Sequence, residues 1–354
     1  MELGWNADFQ TEFERLSSPR LVPARVSSVM KGHFRVWSER GETLAKLAGK
    51  MLFQAKCSSD LPAVGDWVAV ETRGRDACAI VHRLLPRRTK ISRKVAGRAS
   101  QEQIIAANVD TVFVASALNQ EFNPRRLERY VALVWDSGAQ PVVLLNKADL
   151  CEDVPAILAE AALSAPGVPV HAISASDGTG LQTLWDYVGT GHTCAFIGSS
   201  GVGKSTIINR LLGEQVQSTL PVREGDHRGR HSTTSRQMFA LSSGGLVIDT
   251  PGMRELQLWG ADAGLASAFD EIDELAAQCR YRNCSHDSEP GCAVRAAVED
   301  GMLDADRLAN FLKLRAEQVF LDRKVDVHAA QEAKARARLL CKEVRRVTRF
   351  KNRT

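Results

Sequence analysis

The sequence predicts an α/β fold: a mostly parallel sheet with crossover helices, preceded by a small β-barrel and followed by a helical module stapled by a metal. Three observations predict it. Short alternating runs broken by turn residues fill Leu21 to Leu85, apolar strands alternate with helical stretches from Asn108 to Ile248, and Cys279, Cys284, His286 and Cys292 crowd together near the C-terminal end.

A chain of 354 residues fits two or three domains and can bury a core. Its 44% hydrophobic and 25% charged residues are ordinary for a soluble globular protein. The formal charge of +4 is mild, so what matters is where the basic residues sit. The opening MELGWNADFQ lacks the basic start and apolar core of a secretory signal, and no apolar run approaches the roughly 20 residues of a spanning helix. A cytoplasmic protein without membrane contact is expected. The eight cysteines are scattered except for the C-terminal group, which suits a metal site better than a disulfide framework.

Residues 1–19 carry little pattern and are expected to be a loose arm. Residues 20–95 follow as a barrel whose segments are LVPARVSSVM, HFRVWS, ETLAKL, GDWVAVE and CAIVHRLL. Five short strands at this spacing suggest an oligonucleotide-binding (OB) fold, although a barrel used only for docking would show the same pattern. Arg87, Arg88, Lys90, Arg93 and Lys94 then form an acid-free basic run. Beside such a barrel it points toward RNA phosphates; by itself it reads as a solvated face.

Residues 96–260 are expected to form the α/β domain. Strands are predicted at Val109 to Ala117, Pro141 to Leu145, Val168 to Ile173, Gln237 to Leu241 and Leu246 to Ile248, with helices at Pro124 to Trp135 and Val154 to Leu163. The apolar run Cys194 to Ile197 leads into Gly198, Ser199, Ser200, Gly201, Val202, Gly203, Lys204, Ser205 and Thr206, after which Ile207, Ile208, Leu211 and Leu212 recur at helical spacing. This is a phosphate loop. The glycines let successive backbone N–H groups face a phosphate chain at a helix N-terminus, Lys204 reaches the β and γ phosphates, and Ser205 ligates Mg²⁺.

Asn146, Lys147, Ala148 and Asp149 close an apolar strand as a base reader. The Asp149 carboxylate can accept from both the ring N–H and the exocyclic amine of guanine, a donor pair that adenine lacks. Alone, the four letters could be a helix cap; Ser174 and Ala175 at the next strand end, placed to contact guanine O6, and the phosphate loop make the set coherent. Asp249-Thr-Pro-Gly252 after the last strand reads as the magnesium and γ-phosphate sensor. Between them, VREGDHRGRHSTTS offers Thr233 or Thr234 to Mg²⁺, a choice that spacing leaves open, as it does the reading of either as a strand-start residue.

The motif order is unusual: the base-reading motifs precede the phosphate loop, whereas ordinary GTPases place them after it. With a barrel before and a cysteine-histidine cluster after, the chain from about Leu21 resembles the circularly permuted, ribosome small-subunit-dependent GTPases of the RsgA family. FNPRRLERYVALVWDSGAQPVVLLNKADL is a specific part of that resemblance. It implies a circularly permuted P-loop GTPase domain with an N-terminal OB-fold β-barrel and a C-terminal zinc-binding helical module. It also implies a monomeric partner of the small ribosomal subunit and its rRNA, assisting late subunit maturation, with hydrolysis stimulated by the subunit. Ser232 departs from the threonine expected of the family, and Met253 stands where many GTPases carry the glutamine that orients attacking water. His231, in the polar loop beside the two threonines, is the candidate replacement as catalytic residue.

Residues 261–354 complete the chain. Cys279-x4-Cys284-x-His286-x5-Cys292 supplies three thiolates and an imidazole, a closed tetrahedral shell for one structural Zn²⁺. A helix is predicted at Asp306 to Glu317, and the tail from Gln331 to Thr354 carries nine Lys or Arg against two Glu, suited to rRNA contact or to a solvated helix. Besides GTP hydrolysis coupled to subunit assembly, two other functions fit the motifs: a GTP-gated RNA-binding module that hydrolysis merely resets, and an NTPase acting on a protein or metal cargo.

Overall fold

Trp5, Phe9 and Phe13 recur every fourth residue, and the Asn6 side chain accepts from the Phe9 N–H at 3.1 Å. A helix results, α1 (Ala7–Glu14), instead of the expected loose arm. Its ring face docks on the barrel, Trp5 meeting Trp67 edge-on at 4.6 Å with Phe9 buried beside it. The structure, a computed structural model, describes residues 3–72, 78–94, 102–118, 122–213, 236–250 and 262–320.

Alternating apolar residues close the barrel. Its strands are β1 (Leu21–Met30), β2 (His33–Ser38), β3 (Gly41–Leu47), β4 (Trp67–Glu71) and β5 (Ala79–Leu84), with the short helix α2 (Gly49–Gln54) after β3. They pair in the order β1-β2-β3-β5-β4, and β4 returns to β1. Ala24, Val26, Phe34, Val36, Val68, Val70 and Val81 fill the interior. The basic run behaves differently from a phosphate-facing strip. Lys90–Lys94 forms β6, paired with β7 (Glu102–Ala107) in a hairpin outside the barrel. Lys90 Nζ donates to Glu102 Oε1 at 2.8 Å and Arg93 Nε to Gln103 Oε1 at 3.1 Å. Arg87 is bidentate on the fully buried Asp66, at 2.8 and 2.7 Å, and donates to the Ser59 and Leu61 carbonyls. These three cations are committed within the chain.

The α/β part follows the predicted alternation: β8 (Thr111–Ala117), α3 (Pro124–Asp136), β9 (Gln140–Asn146), α4 (Val154–Ser164), β10 (Val170–Ala172), β11 (Thr193–Gly198), α5 (Lys204–Leu212), β12 (Gln237–Ala240) and β13 (Leu246–Asp249). Asn123 caps α3 by accepting from Arg126 N at 3.0 Å, with Pro124 opening the first turn, as the predicted start requires. The spatial order is β10-β9-β8-β11-β13-β12, parallel except for β12. The strand that leads into the phosphate loop is therefore central, with β8 and β13 beside it. Phe113, Leu144, Ile173, Phe196, Ile207 and Ile208 pack one face, and α3 with the C-terminal helices covers the other.

Two junctions join barrel and sheet. Ser28 of β1 pairs antiparallel with Gln237 of β12, so the barrel and the α/β sheet form one eleven-stranded sheet. Beside it, the buried Arg25 donates to three carbonyls from three segments: Leu3, Gly65 at 3.1 Å and Asn108 at 2.8 Å. Burial pushes its guanidinium down to about 10, which still leaves it charged near neutral pH.

The C-terminal module contains α6 (Asp262–Ala268), α7 (Asp270–Ala276), α8 (Ala293–Glu299) and a longer helix, α9, spanning 305–320. No helix among the described residues is long and apolar enough to cross a membrane.

Candidate nucleotide site and metal cluster

Parallel strands deliver their C-terminal ends to one edge of the sheet, and that edge gathers the sequence motifs. Gly198 ends β11, and Ser199, Ser200, Gly201, Val202 and Gly203 curl into the first turn of α5, which holds Lys204, Ser205 and Thr206. Gly203 has φ 95°, and a Cβ there would lie 2.2 Å from Asn146 Nδ2, so only glycine lets the loop pass. Lys204 Nζ curls over its own loop, donating to the Gly198 and Ser199 carbonyls at 2.8 and 2.6 Å.

Asn146, buried at the end of β9, joins the loops. Its Nδ2 donates to the Val202 carbonyl at 2.7 Å, and its Oδ1 accepts from Ala175 N at 2.9 Å. Lys147 then adopts the left-handed conformation, φ 70° and ψ 37°, reversing the chain so that Asp149 emerges toward solvent on a single turn of 3₁₀ helix. Hydrogen bonds from Ser174 and then Ser176 hold the Asp149 carboxyl below the usual carboxylate range, the Ser176 hydroxyl donating at 2.9 Å. Ser174 and Ala175 are buried on the neighbouring strand end. Arg210 of α5 steadies that loop by donating to the Ala175 carbonyl at 3.1 Å and to the Ser176 carbonyl. Nothing in the motif spacing marks Arg210; only its place on the outer turn of α5 does.

Asp249 ends β13, buried, and the Thr250 hydroxyl donates to the Phe196 carbonyl of β11. Gly252, Met253, His231, Ser232, Thr233 and Thr234 lie outside the described residues, as does the basic tail.

The second cluster fits a metal. The ligand atoms of Cys279, Cys284, His286 and Cys292 all lie within 4.8 Å of one another. His286 Nδ1 stands 3.7 Å from Cys279 Sγ and 3.5 Å from Cys292 Sγ, and those sulfurs are 3.9 Å apart. Such crowding of three free thiols and an imidazole suits a thiophilic tetrahedral ion. The loop between the ligands is organised by Glu289, which the sequence reading overlooked. It accepts from the N–H groups of Ser285 at 2.9 Å, Ser288 at 3.2 Å and Asp287 at 3.3 Å, and from the Ser285 hydroxyl. Those bonds, that of the Ser285 hydroxyl foremost, pull its carboxyl down to about 2.

A phosphate loop on the central strand, flanked by the Asn146–Asp149 loop that comes earlier in the chain, defines a circularly permuted P-loop GTPase. The family described as RsgA GTPase matches residues 84–259. The small ribosomal subunit biogenesis GTPase RsgA of Opitutus terrae is 46% identical over 92% of this chain and 91% of its own. That of Methanosarcina acetivorans is 41% identical over 98% and 93%. The crystal structure of YjeQ from Thermotoga maritima superposes with a TM-score of 0.63 at 25% identity, covering 84% of this chain and 99% of that one. The chain belongs to the RsgA GTPase family and is a GTP hydrolase.

Proposed function

We propose that this GTPase binds the small ribosomal subunit and assists its late maturation, hydrolysing GTP in response to the subunit. One observation supports the nucleotide part of this reading: Asn146 ties the loop of Asp149 and Ala175 to the phosphate loop, so a single preformed unit would grip both ends of one nucleotide. The ribosomal part is supported by relatives named for small-subunit biogenesis across nearly the whole chain.

In this reading Asp149 accepts from guanine, the Ser174–Ala175 turn, held by Asn146 through the Ala175 N–H, lies beside O6, and Lys147 lines the base plane. The N–H groups of the loop from Gly198 to Thr206 cradle the phosphates with Lys204. Ser205, Asp249 and one of Thr233 or Thr234 would hold Mg²⁺, which offsets phosphate charge when bound. Gly252 N–H senses the γ-phosphate, and a neutral His231 imidazole accepts a hydrogen bond from the attacking water in place of the missing glutamine. Cys279, Cys284, His286 and Cys292 would hold one Zn²⁺, whose closed shell staples the module and leaves no position for substrate. The barrel and the tail from Gln331 to Thr354 contact rRNA, and the protein acts as a cytoplasmic monomer.

The test is GTP turnover alone, with purified small subunits and with large subunits. Stimulation by small subunits only is expected. Salt-sensitive subunit binding without stimulation would favour the GTP-gated binding module instead, and neither binding nor stimulation would remove the ribosomal reading.

A further inference from the structure

Neighbouring residues in the first turn of α3 hold different parts of the molecule. Arg126 extends NH1 to Ser199 Oγ at 2.9 Å. Ser199 is the second residue of the phosphate loop, and its carbonyl is one of the two that receive Lys204 Nζ. Arg125 turns the opposite way, donating from NH2 to Asp304 Oδ2 and from NH1 to Glu128 Oε1, both at 2.6 Å.

Glu128 is only 1% exposed, and it is the centre of a clamp between α3 and α9. Besides Arg125 it accepts from Arg307 at 3.2 Å and from Asn310 Nδ2. One turn on, Arg129 NH2 donates to both oxygens of Glu317 at 2.8 Å. An exposed ion pair contributes little by itself, but removing one partner from a buried set strands a charge. Backbone contact reinforces the clamp: a Cβ at Gly264 of α6 would lie 2.1 Å from the Ala132 carbonyl and 2.7 Å from Asp136 Cβ. The C-terminal module therefore cannot slide along α3 without separating from it.

The residues of α3 that grip the C-terminal helix thus sit within one turn of the residue that touches the phosphate loop. We infer that Arg126 is a positioning residue of the phosphate loop, kept in register by the ionic clamp that fastens α3 to the C-terminal helix. A partner that pulls on α9 would then alter the Arg126 hold on Ser199. The inference rests on the reading of this loop as the GTP site.

Stopped-flow release of a fluorescent GTP analogue from the full chain, with steady-state GTP kinetics, tests it. Arg126→Ala should speed release and raise KM by about three- to tenfold, the range of one lost hydrogen bond, while kcat changes little. Arg126→Lys, which keeps a donor, should recover part of the loss. Asp304→Asn alters a side chain 60% exposed and outside the nucleotide site. It should accelerate release about twofold or more in the parent and add nothing in the Arg126→Ala background. Thermal melting controls for folding, since a merely structural role would lower Tm and leave release unchanged. Unaltered release in Arg126→Ala overturns the inference, as does an Asp304→Asn effect of equal size in both backgrounds. A parent chain that shows no saturable binding would instead remove the GTP-site reading, and this inference with it.

Discussion

The Asn146 side chain donates to the Val202 carbonyl at 2.7 Å, linking the end of one strand to the phosphate loop of another. Replacing Asn146 by alanine leaves that carbonyl and the Ala175 N–H without their partner in a buried setting. A loss of about 1–3 kcal/mol per stranded group is expected. Asn146→Ala should therefore weaken GTP and GDP alike by at least about tenfold, which titration calorimetry would read. Weakening of GTP only would place the effect at the γ-phosphate.

Guanine preference should move with Asp149. Asp149→Asn should lose GTP affinity and gain xanthosine triphosphate, because the amide can donate to the extra carbonyl of xanthine. Competition binding with the two nucleotides decides it. The Ser174 and Ser176 hydroxyls lower the Asp149 pKa, so the carboxylate stays ionised as pH falls below neutral. GTP affinity of the parent chain should stay level down to about pH 5 and decline only as the carboxylate takes up its proton. A decline beginning near pH 6.5 would point to a histidine instead.

Arg87→Ala strands Asp66, which is fully buried. Such a loss costs about 3–5 kcal/mol, measurable by urea unfolding at neutral pH. Burial, the largest influence on Asp66, raises its pKa above that of the unfolded chain. The folded variant therefore binds a proton more readily than the unfolded one, and acidification toward about pH 5 should return part of the lost stability. A variant equally unstable at both pH values would show that Asp66 stays ionised by another route.

Metal content tests the cysteine cluster. Protein purified without chelator should carry one zinc per chain by elemental analysis, and Cys284→Ala should release it and expose the α8 segment to protease. Intact zinc in that variant would exclude Cys284 as a ligand.

His231 is proposed to orient water because Met253 can neither donate nor accept strongly. Without the subunit, turnover should be slow, on the order of 10⁻⁴ to 10⁻² s⁻¹. With saturating subunit, single-turnover hydrolysis by His231→Ala should lose most of the stimulation while GTP affinity and subunit binding persist. A parental rate would mean that the ribosome supplies the missing group.

The α/β sheet and its motifs were legible because buried parallel strands read as apolar runs, and phosphate or base contacts demand fixed residue types at their ends. Asn146 ends β9, and Asp149 and Lys204 follow strand ends at the same edge of the sheet. Non-local pairing was invisible. The basic run at Arg87 looks free in sequence because its carboxylate, Asp66, lies on the far side of two strands. Arg126 looks like one more helix charge until Ser199 arrives from another strand. The N-terminal helix was legible in principle, with Asn6 as cap and Trp5, Phe9 and Phe13 on one face, but its apolar partner Trp67 is supplied by the barrel.

The single pairing of Ser28 with Gln237 has a consequence for the borders of the sheet. An open sheet presents unpaired backbone groups along both borders, and such borders recruit other chains. Here β1 meets β12 through that one residue pair, and closure of the barrel brings β4 back onto β1. Among the described residues the far border of the eleven-stranded sheet is β10, and that strand is three residues long. Few backbone groups are offered at that border for another strand to pair with.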